Sequence, residues 1–180
     1  KLPGTNQTVG DALLAVHKSF LKPVARLLDN KIKINGMAHI TGGGFPDNIP
    51  RVLPKSVACE IDRTTWDVPT IFNFIERQGK VDHDEMYRVF NMGIGFVLIV
   101  PKTSLPRIKT VFRNMRQTWY QIGVIRVRKP GMESVFYAKY AGDPAGARPA
   151  TTCGRRGRRP ARPGRRPAPS SRRAQGSRRA

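Results

Sequence analysis

The sequence predicts an α+β domain, a mixed β-sheet layered with α-helices, followed by a disordered tail. Three observations carry that expectation. Val57, Cys59 and Ile61 alternate with Ala58, Glu60 and Asp62, the period of two that marks a half-buried strand. Ile108, Val111, Phe112 and Met115 recur at helical spacing within the basic segment 104–117. Strand-like and helix-like segments follow one another without an internal repeat, which fits one sheet covered by helices.

The elements are taken in chain order. Residues 1–11 are polar, contain Pro3 and Gly4, and read as a linker, so the domain is expected over 12–140. The segment 13–21 is largely apolar but holds His17, Lys18 and Ser19. Pro23 suits the first position of a helix, where a missing N–H costs nothing, and it disfavours helix at Lys22. Val24, Leu27 and Leu28 give that helix an apolar face, and Asn30 ends it. Residues 31–40 read as a strand entering a glycine-rich loop. Ile71, Phe72 and Ile75 mark a helix that follows Pro69 and closes near Gly79. Asp82 with Glu85 three residues later reads as a capping box opening a helix through Val89. Residues 91–100 form a dense apolar run, read as a buried central strand. After the helix at 104–117, the segments 119–127 and 133–139 read as two final strands around Pro130-Gly131.

The loop carries the chemistry. His39 and Ile40 lead into Thr41 and three consecutive glycines, Gly42, Gly43 and Gly44, and a turn at Asp47-Asn48 then starts a short helix. Glycine lets the backbone approach an anion closely and adopt positive φ. Successive N–H groups in such a loop make an anion-holding concavity. Neither standard nucleotide fingerprint is present: no Gly-Lys-Ser/Thr follows, and Gly42–Gly44 lack the dinucleotide spacing. A phosphate loop and an ordinary strand-to-helix turn therefore both remain open at this point.

Three ordered blocks resemble one family. They are His39-Ile40-Thr41-Gly42-Gly43-Gly44-Phe45 with Asp47-Asn48-Ile49-Pro50-Arg51-Val52-Leu53-Pro54; Glu85-Met86-Tyr87-Arg88-Val89-Phe90-Asn91-Met92-Gly93-Ile94-Gly95; and Trp119-Tyr120-Gln121-Ile122-Gly123-Val124-Ile125. Together they resemble the C-terminal domain of phosphoribosylformylglycinamidine cyclo-ligases, over residues 9–139. The resemblance implies ATP-dependent closure of the imidazole ring of formylglycinamidine ribonucleotide in purine biosynthesis. It implies ATP and Mg²⁺ as cofactors, a cytoplasmic homodimer when full length, and metal-binding acids in an N-terminal domain. It assigns His39 a catalytic place, with a structural histidine as the alternative. Thr41, Gly42, Gly43, Gly44, Asn48, Arg51, Asn91, Gly93 and Gly95 fall at phosphate, ATP or substrate contacts. Asn48 and Arg51 would orient phosphate, or instead hold a turn and pair with an acid. Asn91, Gly93 and Gly95 would mark a close backbone approach, or simple packing. No metal ligand is assigned, and Asp82, Asp84 and Glu85 read as helix-capping groups. Where the family often has Pro-Thr-Arg-Ile-Tyr, this chain has Val16-His17-Lys18-Ser19-Phe20, a departure that leaves a ligand contact from this segment open. On this reading Gly43→Val weakens ligand binding and leaves unliganded stability nearly intact.

The formal charge is +21 over 180 residues. Residues 144–180 hold 12 arginines and no acid, and residues 1–143 hold 21 Lys/Arg against 12 Asp/Glu, so the body carries +9 and the tail +12. The tail has no Val, Ile, Leu, Met, Phe, Tyr or Trp, so it lacks the apolar surface that would offset ordering entropy, and 141–180 is expected to be disordered. Two origins stay open for it: a nucleic-acid-binding arm, or a misread frame of GC-rich DNA. The first supplies the alternative function, a basic protein binding nucleic acid non-specifically through its tail. Cys59 and Cys153 form no Cys-x-x-Cys pair, which argues against a metal or disulfide framework. No apolar run reaches membrane-spanning length. Lys1 in first place fits a sequence that begins mid-chain.

Overall fold

The computed structural model describes residues 1–138. The tail expected at 141–180, the domain's expected end at 140 and Lys139 of the final strand lie outside the described residues.

The order of elements bears out the α+β class. Helix α1, Val9–Leu13, opens on Thr8, whose hydroxyl accepts from the Asp11 amide while the Asp11 carboxylate accepts from the Thr8 amide. The stretch expected as a linker thus holds the start of a helix, and Leu2 is buried. Helix α2, Leu21–Asp29, begins two residues before Pro23. The correction has a simple cause: Pro23 is the third helical residue, and the first four N–H groups of a helix have no intrahelical acceptor to lose. Asn30 closes α2, its side chain donating to the Arg26 carbonyl at 2.8 Å.

The strand expected over 31–40 is shorter. Lys31 adopts a φ of 52°, which takes the chain out of the helix in a left-handed turn. Only β1, Gly36–His39, is paired. Its partner β3, Phe96–Ile99, runs antiparallel, with Gly36 opposite Ile99 and His39 opposite Phe96. Residues 91–95, expected inside a long central strand, instead form a turn: the Asn91 side chain accepts from the Gly93 amide at 3.0 Å, and the Ile94 amide donates to the Asn91 carbonyl. The remaining strands make a separate mixed sheet. Here β2, Val57–Ile61, lies between β4, Gly123–Val127, antiparallel to it, and β5, Val135–Tyr137, parallel to it. Where one sheet was expected, the described residues hold two.

Helix α3 spans Gly44–Asn48 and runs into a 3-10 turn at Ile49–Val52. Helix α4 spans Thr70–Gly79. Helix α5, His83–Val89, carries half of the expected capping box: the Asp82 carboxylate accepts from the amides of Asp84 and Glu85, while the Glu85 carboxylate faces Arg88 rather than the Asp82 amide. Helix α6, Leu105–Asn114, turns Ile108, Val111 and Phe112 inward against Leu27 and Ile32, forming a small core with α2. The larger core joins Ala38 and Ile40, Phe45 and Ile49, Cys59 and Ile61, and Met86 and Tyr87. Phe45 and Ile49 have no exposed surface, and each such burial is worth about 1.5–3 kcal/mol. Those two side chains anchor the segment that follows the glycines.

Candidate functional site at the glycine loop

The loop is held from inside by one buried polar residue. Asn48 is 4% exposed, and its amide donates to the carbonyls of Gly44 at 2.8 Å, Gly42 at 3.3 Å and Thr41 at 3.4 Å. The Thr41 hydroxyl donates to its Oδ1 at 3.5 Å. A trans peptide points its C=O and the next N–H in opposite directions. Carbonyls of Thr41 and Gly42 turned toward Asn48 therefore turn the amides of Gly42 and Gly43 outward. Among the described residues, neither amide meets a backbone acceptor, whereas the Gly44 amide donates to the Thr41 carbonyl at 3.0 Å. Thr41 and Gly42 are exposed.

The three glycines are not equivalent. A Cβ on Gly42 would meet nothing within 4 Å. Gly43 has a φ of 89°, and a Cβ there would fall 2.6 Å from the Asp47 Cβ. Gly44 has a φ of 55°, and its Cβ would run into the backbone carbonyl of Tyr87 at the end of α5. Gly44 thus lets α3 seat on α5, and Gly42 leaves open space above the amides. The expectation that Gly43→Val spares stability is corrected: a left-handed residue whose side chain must also displace Asp47 is strained before any ligand is considered.

His39 stands exposed at the end of β1, two residues before Thr41. It belongs to a cluster of four rings. Phe20 stacks on Phe96 with centroids 5.2 Å apart, and His39 lies 6.1 Å from each of them. His17 meets His39 edge-on at 5.4 Å and 82°. Gly95 makes room for this cluster, since a Cβ there would sit 2.7 Å from Phe20 Cζ. The Gly95 carbonyl also accepts from the Ile40 amide at 2.9 Å, so cluster and loop share the same end of the β1–β3 ribbon.

The other expected residues divide by their contacts. Asn48 holds the turn, and Asn91 and Gly93 bond to each other within theirs. Arg51 is exposed in the 3-10 turn and forms no ion pair among the described residues. Sequence reasoning missed His17 and Phe20, because 22 and 19 residues separate them from His39 and no periodicity links them. It also missed Arg63, whose guanidinium lies 3.6 Å from the Tyr137 ring centre and 4.4 Å from that of Tyr87, and pairs with Asp84 at 2.5 Å. Burial pushes the Tyr137 phenol up to about 12 and raises that of Tyr87, with Arg63 acting against both. Burial, followed by the charge of Glu60, pushes the Cys59 thiol up to about 11. Cys59 is a packed thiol, not a nucleophile.

Residues 2–132 match the family described as AIR synthase related protein, C-terminal domain. The chain belongs to this family. Relatives named phosphoribosylformylglycinamidine cyclo-ligase align over most of the chain. That of Thermoanaerobacter sp. (strain X514) is 46% identical over 124 residues, which is 69% of this chain and 36% of that protein. That of Pseudothermotoga lettingae is 44% identical over 130 residues, covering 72% and 37%. That of Chromobacterium violaceum is 40% identical over 126 residues, covering 70% and 36%. The chain thus spans little more than a third of the length of these relatives, and in this AIR synthase domain the glycine loop lies well inside the matched region.

Proposed function

We propose that this AIR synthase domain is the C-terminal part of an ATP-dependent ligase that closes the imidazole ring of formylglycinamidine ribonucleotide. ATP transfers a phosphoryl group to the formyl oxygen, a substrate nitrogen attacks the activated carbon, and phosphate leaves, giving aminoimidazole ribonucleotide, ADP and phosphate. The single observation that carries the reading is the outward pair of Gly42 and Gly43 amides, set in a chain whose relatives bear the cyclo-ligase name. Preorganised N–H groups aimed at a phosphoryl oxygen stabilise charge without reorganising during the reaction.

Each residue then has a role. The amides of Gly42 and Gly43 donate to phosphoryl oxygens, and the Thr41 hydroxyl joins them by turning from Asn48 Oδ1. Asn48 keeps those amides turned outward, and Gly44 seats the loop on α5. His39 donates from its ring to a phosphoryl or formyl oxygen. Arg51 adds unpaired positive charge nearby in sequence, and Gly95 admits the ring that supports His39. Mg²⁺ would neutralise phosphate charge when bound; among the described residues no three His, Cys, Asp or Glu side chains come together. Its ligands are assigned to the rest of the full-length enzyme. A cytoplasmic homodimer belongs to the same proposal. No helix among the described residues is long and apolar enough to cross a membrane.

The test is a domain exchange. Residues 2–132 replace the matching segment of the Thermoanaerobacter enzyme, and ADP and aminoimidazole ribonucleotide are measured from ATP, Mg²⁺ and formylglycinamidine ribonucleotide. The hybrid should turn over, and the 180-residue chain alone should not. A folded hybrid that binds neither substrate would refute the reading.

A further inference from the structure

We propose that His17 is a positioning residue for His39, a part it plays through its ring; the proposal rests on the loop reading above. His39 is exposed on its outer side, so strand pairing alone does not fix its ring. Phe20 and Phe96 make a stacked base beneath it, and Gly95 leaves the space that Phe20 fills. His17 adds a further contact: its ring meets His39 edge-on at 5.4 Å and 82°, and meets Phe20 at 5.9 Å and 82°. Edge-to-face arrangements at such centroid distances are attractive beyond simple area burial. Together the three neighbouring rings restrain the His39 imidazole at the end of β1, two residues before Thr41.

The segment has little else to do for the fold. His17 sits in an irregular stretch between α1 and α2, and its neighbours Leu14 and Val16 are 85% and 96% exposed. Among the described residues, His17 makes ring contacts with His39 and Phe20. Losing them therefore affects the orientation of His39 more than it affects stability.

The test uses the intact 180-residue chain, with ring resonances of the three histidines followed by NMR and ATP as the probe. His17→Ala should shift the His39 ring resonances in the unliganded chain and leave those of His83 in place. It should weaken ATP binding about three- to tenfold, the range that one aromatic pair accounts for. His17→Phe, which keeps a ring but has no nitrogen, should restore both. Unmoved His39 resonances in His17→Ala overturn the proposal whether or not ATP binds. An equal loss of affinity in His17→Ala and His17→Phe also overturns it, since His17 would then be a ligand itself. If wild type binds no ATP while His39 still responds to His17, the loop reading fails in this chain and the two-ring contact stands.

Discussion

On the proposed loop reading, a side chain at Gly42 should separate ligand binding from folding. Its Cβ would meet nothing within 4 Å, and its φ lies outside the left-handed range, so the backbone accepts a substituent. Gly42→Ala should leave stability unchanged or raise it by about 0.4–1 kcal/mol through the unfolded chain. Gly42→Val should cost little more, yet its branches stand where an oxyanion must approach. Losing one charge-assisted N–H contact is worth about 1.5–3 kcal/mol, so ATP affinity in the full-length enzyme should fall about ten- to hundredfold. Gly44→Ala provides the contrast. A left-handed alanine alone costs about 1–2 kcal/mol, and its Cβ collides with the Tyr87 carbonyl, forcing α3 off α5. At about 2–8 °C per kcal/mol, the melting temperature of Gly44→Ala should fall by several degrees or more. Calorimetric ATP titration beside thermal melts without ligand reads both effects. If Gly42→Val melts as low as Gly44→Ala, or binds ATP as wild type does, the outward-amide argument is wrong.

Three further outcomes are expected. Asn48→Ala should destabilise the domain by about 1–3 kcal/mol in urea unfolding, since it strips a buried donor from loop carbonyls, and Asn48→Asp should cost more by facing those carbonyls with a carboxylate; equal, negligible effects would show that Asn48 does not hold the loop. Folded Cys59 keeps until about pH 11 a proton that the unfolded chain loses near pH 9, so its contribution is complete below pH 9 and is lost as pH rises toward 11. Stability should therefore decline over that window, more shallowly in Cys59→Ala, and an identical slope in that variant would remove the cause assigned here. Gly95→Ala should push Phe20 from its seat and shift the His39 ring resonances without unfolding β1–β3; unchanged resonances would uncouple the cluster from Gly95.

What could be read from the sequence was what a few neighbouring residues decide. Asp82 caps α5 because its carboxylate reaches amides two and three residues on, and α6 shows its inner face because every fourth residue or so returns to the same core. Strand extent was less legible because pairing partners set it: β1 ends where β3 begins, and β3 cannot begin until the Asn91-Gly93 turn is complete. The site shows the same division at finer scale. The string from Thr41 to Gly44 announces a loop able to hold an anion, but it ranks the glycines equally. Only the distant carbonyl of Tyr87 makes Gly44 a packing residue, and only Asn48, folded back from the far end of α3, decides which way the amides of Gly42 and Gly43 point. The glycine run of this chain thus holds two devices two positions apart. Gly44 lets two helices touch, Gly42 leaves room above a pair of amides, and buried Asn48 couples them by bonding the carbonyls of Thr41, Gly42 and Gly44.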